Sequence, residues 1–422
     1  MLDIKFIREN KDIVAAGAKK KHIDIDIDAL IGVDDKRRAL VAEVDELRAR
    51  QNKASDEIAG ADEGTRVQKI AEMKVVKEIL AQKEETLKPI MAEWQKRMVE
   101  VPNVPDMTVP EGESDAENQE IKTWGEKTQF PFQPKDHVEL MAALGMVDFE
   151  RGTKIAGFRG YVLKDDGVLL SFAIWNLALK FFAGRGFSPM IMPSLARREN
   201  FLGTGFIPQG EEDLYKTQDG EYLAGTAEVA TMGYHMDEVL QKENLPKKML
   251  SFSPCFRREA GSHSRDVKGL IRVHEFYKWE QVILCEANHE TSVRFHEELN
   301  RNTEEFIELL GIPYHTVVNC GGDLGLGQVK KYDIELWVPM EGKYREISSA
   351  SYFHDFQTRR LNIRYKDAEG KMQFAHSLNS TAIPTPRILV SLIENYQQED
   401  GSIVIPEALQ SYMGKDKIVK KS

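Results

Sequence analysis

The sequence predicts an α+β protein, with a largely antiparallel sheet flanked by helices and an antiparallel coiled-coil arm at the N-terminus. Three observations lead to this fold class. Apolar residues recur at steps of three and four through two long N-terminal segments, which is the period of an amphipathic helix. Beyond residue 105, short period-two segments with hairpin spacings replace that pattern. Strands and helices do not alternate regularly there, so a parallel βαβ sheet is not expected.

Composition and charge limit the classes of function. The chain has 422 residues, 41% of them hydrophobic, which is enough for two or three domains with a sizeable core. Lys and Arg number 57 against 68 Asp and Glu, and the net charge is -11. Any contact with nucleic acid must therefore come from a local basic patch rather than from overall charge.

Cysteine spacing and the first residues bear on location. Cys255, Cys285 and Cys320 lie far apart and form no Cys-x-x-Cys pair, which favours a reducing compartment and disfavours a structural zinc. The N-terminus carries an early acid and lacks the apolar segment of a signal peptide. No stretch approaches the length of a membrane span, so a cytoplasmic protein without a membrane partner is expected.

The N-terminal segment begins with a short helix from Asp3, followed by a loop. From Asp34 one long helix is predicted, and its seam holds Leu40, Val44, Leu47, Gln51, Ala54 and Ile58. After a break at Gly60 to Gly64, a second helix over Thr65–Glu100 repeats the seam with Ile70, Met73, Leu80, Leu87, Met91, Trp94 and Met98. Two such helices cover each other's stripes as an antiparallel hairpin that projects roughly 40 Å or more. Pro89 is expected to interrupt the second helix and kink it.

Two uses of this arm fit the pattern. Heptads most often serve oligomerisation. The second helix, however, carries eight Lys or Arg against six Glu inside an acidic protein, which weakly favours a polyanionic partner. Repeated proline at Val101–Pro105 ends the arm, so the predicted domains are residues 1–105 and 106–422.

The stretch Pro254–Glu280 reads as a β-hairpin with a long mobile tip. Alternation along its second arm gives one face with Arg272, His274, Phe276, Lys278 and Glu280 and another with Ile271, Val273, Tyr277 and Trp279. Phe276 and Glu280 are roughly 13 Å apart along a strand, about the length of an aminoacyl adenylate. An aromatic ring can stack on a base, Arg257 can meet a phosphate, and the carboxylate can hold a small polar group. The alternative is a set of cross-strand ion pairs on a solvated sheet face.

Neither a Walker A loop nor a Gly-x-Gly-x-x-Gly motif is present, so a nucleotide site must be of another kind. Arg387 follows Pro386 at the start of a helix, where exposed amides favour phosphate, although such an arginine is more often an ordinary surface residue. Glu346 and Ser349 offer hard oxygen ligands for Mg²⁺, but only a bulge or a strand end brings both to one face. A surface strand carrying an acid is the simpler alternative.

The loop Thr226-Ala227-Glu228 offers a hydroxyl and a carboxylate to a small ligand. A loop with these residues usually caps the following helix, predicted here over Val229 to Leu240. The sequence alone leaves both interpretations open.

In chain order, these motifs resemble those of class II aminoacyl-tRNA synthetases. The residues that carry the resemblance are the strand end at Pro193, Phe256-Arg257-Arg258-Glu259, Arg272-Val273-His274-Glu275-Phe276 and the helix at Arg387. Within that class the chain is similar to seryl-tRNA synthetases of the bacterial kind over essentially its whole length. The resemblance implies that serine and ATP form seryl-adenylate, which then esterifies the terminal ribose of serine tRNA, with selenocysteine tRNA as a further acceptor left open. It also implies a homodimer.

The resemblance assigns roles residue by residue. The implied catalytic residues are Arg257, Glu259 and Arg387. The implied ATP-binding residues are Arg257, Arg258, Glu259, Val273, Phe276, Glu346, Ile347, Ser348, Ser349 and Arg387. The implied serine-binding residues are Thr226, Ala227, Glu228, Arg257, Glu280 and Thr381, and the implied Mg²⁺ ligands are Glu346 and Ser349. Arg257 is expected at the α-phosphate, Glu259 near the adenine, Phe276 on the base and Arg387 at the terminal phosphate.

The sequence departs from the family pattern at two places, and two other functions are compatible with its motifs. Ser380-Thr381 stands where many members have Gly-Ser, and Ser349-Ala350-Ser351-Tyr352 lacks the cysteines often found there. A class II relative that activates another amino acid, or charges a carrier protein, is one alternative; the retained arm argues against the carrier. An inactive coiled-coil paralogue is the other, and the intact Arg257, Glu346 and Arg387 argue against it.

Overall fold

A computed structural model describes residues 1–60, 62–261 and 266–420. The chain divides into two compact units. The first comprises Met1–Lys19 and Ile23–Pro102, and the second comprises Lys20–His22 and Asn103–Ser422. The predicted tip of the Pro254–Glu280 hairpin is therefore described only in part, because residues 262–265 lie outside the described ranges.

The secondary structure of the described residues is mixed. The α-helices are α1 Ile4–Glu9, α2 Lys11–Lys20, α3 Ile27–Ala59, α4 Glu63–Glu100, α5 His137–Ala143, α6 Phe149–Ala156, α7 Asp165–Ala183, α8 Arg198–Thr204, α9 Glu228–Tyr234, α10 His289–Leu309, α11 Phe356–Leu361, α12 Arg387–Asn395 and α13 Glu407–Met413. The strands are β1 Gln119–Trp124, β2 Val147–Asp148, β3 Val162–Leu163, β4 Ser188–Ile191, β5 Leu195–Ala196, β6 Tyr215–Lys216, β7 Tyr222–Leu223, β8 Val239–Leu240, β9 Lys247–Phe256, β10 Glu275–Cys285, β11 Tyr314–Val318, β12 Lys330–Val338, β13 Lys343–His354, β14 Arg364–Lys366, β15 Met372–Phe374, β16 His376–Thr385, β17 Ile403–Val404 and β18 Lys417–Ile418.

The first unit contains the predicted helical hairpin, with earlier boundaries than expected. Helix α3 begins at Ile27 rather than Asp34, because the Asp26 carboxylate accepts a hydrogen bond from the Ala29 amide at 2.8 Å and caps the helix. A second short helix, α2, occupies part of the segment predicted as loop. Helix α4 runs through Pro89 without ending there, so the predicted interruption is wrong.

Cross-helix ion pairs confirm that α3 and α4 run antiparallel. Glu43 pairs with Lys83 at 2.6 Å, whereas Glu57, further along α3, pairs with Lys69, which comes earlier in α4. The seam of α3 is buried or half-buried as predicted. On α4, Ile70 and Met91 are exposed, while Val76, which the prediction omitted, is buried. A strict step of three or four drifts around a helix of 38 residues, which explains the two misplaced positions.

The second unit is built on a sheet of eight strands in the order β1-β11-β12-β13-β16-β10-β9-β4. All neighbouring pairs are antiparallel except β4 with β9, which confirms the predicted class of sheet. Helices α7, α10 and α12 supply apolar side chains to the main core with the central strands. The sheet is thus a rigid base for the loops and strand faces that carry polar residues.

Two β-bulges break the alternation of the central strands. Ile334 pairs with Ser348 but Glu335 pairs with Glu346, so Ile347 is an extra residue in β13. Likewise Trp279 pairs with Ile383 but Glu280 pairs with Thr381, so Ala382 is an extra residue in β16. A bulge turns the residues beyond it to the other face.

Helix α7 contradicts the expectation that no stretch reaches the length of a membrane span. Its 19 residues have a mean hydropathy of 1.4 over the most apolar window, and 44% of that window is buried. Leu170, Ile174, Ala178 and Phe182 belong to the main core, so the apolar composition of α7 is explained by packing inside the second unit.

We expect the buried carboxylate of Asp34 to stabilise the base of the helical hairpin. Its oxygens accept hydrogen bonds from Arg8 at 3.1 Å and from Arg37 at 2.7 and 2.9 Å, and the Arg37 guanidinium lies 4.6 Å from the centre of the Trp94 ring. Asp34→Asn removes the carboxylate paired with Arg37 and one of the two paired with Arg8, the other being Asp35, and should speed amide hydrogen exchange in α3 by about tenfold or more. Glu84→Gln, at an exposed pair with Arg48, is the matched control; equal exchange in both variants would contradict the role of Asp34.

Candidate active site

Three adjoining cavities in the second unit share Arg257 and Glu346. The first, called the narrow cavity, has about 50 Å³ and is lined by Val273, Phe276 and Arg387 among others. The second, the charged cavity, has about 500 Å³ and is lined by Arg272, Arg345, Lys331 and Asp333 among others. The third, the inner cavity, has about 380 Å³ and is lined by Thr226, Glu228, Glu280 and Thr381 among others. Shared walls make them one cleft.

The narrow cavity lies where β9 ends and α12 begins. The amide of Arg257 donates to the His274 carbonyl at 3.0 Å, and the Arg257 guanidinium stands over the Phe276 ring at 5.2 Å from its centre. Arg387 is the first residue of α12 and donates to the carbonyls of Ile271 at 2.8 Å and Glu346 at 3.0 Å. Two guanidinium groups and an aromatic ring therefore face one small space.

The predicted alternation of the hairpin's second arm holds only from Glu275, where β10 begins. Val273, assigned to the structural face, lines the narrow cavity. His274, assigned to the chemical face, lines a separate aromatic cavity of about 600 Å³ together with Tyr277. A period of two requires extended backbone, and the residues before Glu275 are not in a strand, so their side chains do not alternate.

The inner cavity is organised around a buried ion pair. Lys278 Nζ lies 2.5 Å from Glu280 Oε2 and donates to the Thr226 hydroxyl at 2.9 Å. The Thr381 hydroxyl lies 3.4 Å from both Lys278 Nζ and Glu280 Oε2. Each of these four side chains is less than one-tenth exposed. The bulge at Ala382 makes this possible, since it sets Thr381 rather than Ala382 opposite Glu280.

A second carboxylate, Glu228, lies in the same cavity at the start of α9. Gln357 Nε2 donates to its Oε1 at 2.7 Å, and the Ser377 hydroxyl in turn donates to Gln357 Oε1 at 2.8 Å. Burial raises the pKa of Glu228 to about 7, against the hydrogen bond from Gln357. A cationic ligand in the cavity would favour the ionised form of this carboxyl. The cavity thus presents carboxylates and hydroxyls suited to a small amine that carries a hydroxyl.

Glu346 and Ser349 both line the inner cavity because the bulge at Ile347 brings them to one side of β13. A shared metal required a bulge or a strand end between these two residues, and the bulge is present. Among the described residues no group of three or more His, Cys, Asp or Glu has the arrangement of a metal site. Two protein oxygens still suit Mg²⁺, which commonly takes its other ligands from phosphate and water. The Glu346 carboxylate and the Ser349 hydroxyl accept no hydrogen bond from the described residues, so both remain available as ligands.

The charged cavity is lined by ion pairs between basic and acidic side chains. Arg272 pairs with Glu259 and lies 3.5 Å from Asp266, and Arg345 pairs with Glu341 at 2.6 Å. Burial raises the pKa of Asp333 to about 7, and its Oδ1 has no hydrogen-bond partner among the described residues. Several guanidinium groups beside the narrow cavity make this the part of the cleft best suited to phosphate.

Three residues implied by the family resemblance do not line the cleft. Arg258 donates to the Glu212 carbonyl at 3.0 Å instead. Ser348 is buried by the bulge, and its hydroxyl donates to the Thr381 carbonyl at 2.6 Å. Ala227 is buried at the start of α9, which ends at Tyr234 rather than near Leu240.

Sequence reasoning missed several residues of the cleft. Lys278 was placed on the correct strand face between Phe276 and Glu280 but received no role, although its spacing was a usable signal. Asn379, Arg272 and Arg345 were not among the predicted binding residues, and all three line the cleft. Arg345 comes from β13 and carries no local motif, so only the folding of the sheet brings it there.

Comparisons with known proteins show the family of the chain. A family model described as the seryl-tRNA synthetase N-terminal domain matches residues 1–105, and one described as the tRNA synthetase class II core domain (G, H, P, S and T) matches residues 215–396. The serine–tRNA ligase of Thermodesulfovibrio yellowstonii is 42% identical over 425 residues, covering 99% of this chain and 100% of that protein. That of Deinococcus radiodurans is 42% identical over 415 residues, covering 98% of each chain.

Solved structures give the same relationship. The crystal structure of seryl-tRNA synthetase from Pyrococcus horikoshii complexed with ATP matches with a TM-score of 0.90 and 35% identity, covering 100% of both chains. The cytoplasmic serine–tRNA ligase of Naegleria fowleri in complex with AMP matches with a TM-score of 0.87 and 31% identity, covering 100% of this chain and 99% of that one. With relatives above 30% identity along the entire chain, and a cleft that joins an arginine-rich part to a small polar cavity, this chain belongs to the seryl-tRNA synthetases of class II.

Proposed function

We propose that this chain joins L-serine to ATP as seryl-adenylate and then transfers the seryl group to the terminal ribose of serine tRNA. A carboxylate oxygen of serine attacks the α-phosphorus, the bond from that phosphorus to the bridging oxygen breaks, and pyrophosphate leaves with the electron pair. The observation that carries this proposal is that Arg257 and Glu346 line all three cavities. The reacting phosphorus belongs where the three meet, and no covalent nucleophile is required.

We assign the nucleotide to the narrow and charged cavities. Phe276 and Val273 hold the base, Glu259 contacts the adenine region, and Arg387 binds the terminal phosphate. Arg257, whose guanidinium lies 5.2 Å from the centre of the Phe276 ring, meets the α-phosphate next to the base that stacks on this ring. Glu346 and Ser349 hold Mg²⁺, which when bound supplies charge neutralisation to the phosphates. Fixed guanidinium groups then stabilise the charge that develops on the phosphate oxygens.

We assign serine to the inner cavity. Glu228 and Thr226 receive its ammonium group, and Glu280 with Thr381 receives its hydroxyl. Lys278 balances the charge of Glu280 and fixes its orientation. A cavity that must hydrogen-bond a hydroxyl rejects alanine strongly, because buried polar groups would be left unpaired. Threonine keeps the hydroxyl, so its exclusion depends on the space left beside the β-carbon of the bound amino acid.

The two units have different tasks in this proposal. Residues 1–105 form the arm that engages tRNA through Lys and Arg residues of α4, and residues 106–422 form the catalytic domain. Exposed apolar side chains on α7 and β4, notably Phe172 and Ile191, support a homodimer formed through this surface. The enzyme works in the cytoplasm, without a membrane partner.

Amino-acid specificity tests the serine assignment. With the native chain, serine should support ATP–pyrophosphate exchange, and threonine, alanine and proline should each be about 10²-fold or more less effective in kcat/KM. Glu280→Gln should raise the KM for serine by about tenfold or more and leave the KM for ATP within about twofold, since it removes a charged acceptor. Glu298→Gln, at an ion pair with Lys248 outside the cleft, is the control. If proline or alanine supported exchange efficiently, the assignment of serine as the substrate would be wrong.

The division of labour between the two units is tested by a pair of variants. Arg257→Ala should lower adenylate formation by about 10²-fold or more, because it removes a fixed cation at the reacting phosphorus. Replacing residues 44–82 by a short turn shortens the arm at the level of the Glu43–Lys83 pair; exchange should persist within about twofold and charging of tRNA should fall about 10²-fold. Arg185→Ala, a remote guanidinium bonded to Asn302, controls for loss of charge. Normal charging by the shortened protein would refute the arm's role.

The metal assignment is tested by direct binding of Mn²⁺ in place of Mg²⁺. Electron paramagnetic resonance should detect Mn²⁺ bound in the presence of a non-hydrolysable ATP analogue. Glu346→Gln should weaken that binding by about tenfold or more, and Ser349→Ala by less, because a carboxylate is the stronger ligand. Glu297→Gln, whose carboxylate accepts from Tyr332, should bind Mn²⁺ normally. Unchanged binding by Glu346→Gln would place the metal elsewhere.

A further inference from the structure

We propose that Lys21, assisted by Asn103, is a positioning residue for the serine site: it fixes the loop of residues 325–328 that forms one wall of the inner cavity. The proposal rests on the assignment of that cavity to serine. Lys21 and Asn103 lie outside the cavity and touch no residue assigned to substrate. Their effect on serine must therefore pass through the loop.

Lys21 is fully enclosed and donates only to main-chain oxygens of this loop. Its Nζ lies 3.0 Å from the Gly325 carbonyl, 3.0 Å from the Leu326 carbonyl and 2.5 Å from the Gln328 carbonyl, and the residue is 4% exposed. An ammonium group has three N–H donors, and three carbonyls receive them. Burial alone lowers the pKa of Lys21, while the three carbonyl oxygens favour its charged form. Losing this group would leave the Gln328 carbonyl without its donor, while the Gly325 and Leu326 carbonyls would keep a hydrogen bond from the Gln328 and Asn103 amides.

Asn103 donates to the Gly327 carbonyl, the one carbonyl of the loop that accepts no hydrogen bond from Lys21. Its Nδ2 donates to the Gly327 carbonyl at 3.0 Å and to the Phe353 carbonyl at 2.8 Å, and its amide donates to the Leu326 carbonyl at 2.9 Å. All four consecutive carbonyls of residues 325–328 thus accept hydrogen bonds from these two residues. With every peptide group oriented, the loop has one conformation rather than several.

The opposite side of the loop forms part of the cavity wall. Residues 325–328 line the inner cavity together with Thr226, Glu228, Glu280 and Thr381. Gln328 Nε2 donates to the Ser351 hydroxyl at 2.8 Å. A Cβ added at Gly327 would stand 2.7 Å from the Phe356 ring, so the backbone is already in close contact with that ring. The wall is held from both sides.

The amino acid is the substrate that this wall affects. Serine is small, and its discrimination from threonine depends on the space left beside its β-carbon, which a shift of the loop enlarges. The nucleotide residues Phe276, Val273 and Arg387 come from other segments and do not contact the loop residues through any hydrogen bond of the described chain. Removing Lys21 therefore weakens binding of serine and its discrimination from threonine, while ATP binding is preserved.

Lys21 and Asn103 lie at two of the points where the chain passes between the first and the second unit. Lys20–His22 is a three-residue insertion of the second unit between segments of the first, and Asn103 directly follows Pro102, where the first unit ends. The wall of the serine cavity is therefore fixed by residues at the points where the chain passes between the two units.

The test compares Lys21→Met, which keeps the length of the side chain but has no donor, with Lys21→Arg, which keeps charge and donors. In ATP–pyrophosphate exchange by the full-length protein, Lys21→Met should raise the KM for serine about tenfold and leave the KM for ATP within about twofold. Exchange with threonine relative to serine should increase. Lys21→Arg should recover part of the serine affinity. Lys248→Met, at an ion pair away from the cleft, controls for loss of a partly buried lysine.

Thermal unfolding and Glu280→Gln separate the remaining outcomes. If Lys21→Met is folded and its serine KM is unchanged, or if serine and ATP KM rise together, the positioning role is wrong. If Glu280→Gln also leaves serine KM unchanged, the assignment of the cavity to serine is wrong as well. If Lys21→Met does not fold, Lys21→Arg and Asn103→Ala decide the question by the same ratio of KM values, which a purely structural role would not change.

Discussion

The cleft depends on two extra residues in the central sheet. A regular strand would direct Glu346 and Ser349 to opposite faces, and a regular pairing would set Ala382 opposite Glu280. The bulges at Ile347 and Ala382 remove both obstacles at once. They turn the carboxylate and hydroxyl of β13 toward one cavity and bring Thr381 beside the buried ion pair. Because a bulge costs one ladder hydrogen bond but leaves the rest of the sheet intact, the site can be irregular while its support stays rigid.

The second constraint is the burial of charge. Lys278 and Glu280 lie almost out of contact with solvent, and each needs the other together with the hydroxyls of Thr226 and Thr381. Such a pair is seldom a large source of stability, since desolvation offsets most of the attraction. The pair instead fixes the orientation of the Glu280 carboxylate in the inner cavity. The enclosed ammonium of Lys21 follows the same principle with main-chain oxygens, and it orients a wall rather than a reactive group.

Local patterns were sufficient where one segment decides its own structure. The helical hairpin followed from apolar steps of three and four, and Arg387 at the start of α12 followed from Pro386 and the apolar residues after it. Errors occurred where a local rule was extended too far. His274 was assigned by alternation although the strand begins at Glu275, and Pro89 was treated as a helix break although α4 continues past it. In both cases the neighbouring structure overrides the preference of the single residue.

The class of fold, the hairpin arm and, through the ordered motifs, the family and the residues proposed to bind nucleotide and amino acid could all be read from the amino-acid sequence. Which of those side chains meet follows from the folded sheet. Arg345, Asn379, Lys21 and Asn103 carry no motif, and they join the site or its support because β13, β16 and the loop of residues 325–328 are brought together by sheet pairing and core packing. The reason is physical: contacts between residues distant along the chain depend on the register and bulges of the whole sheet, which no short stretch of sequence encodes.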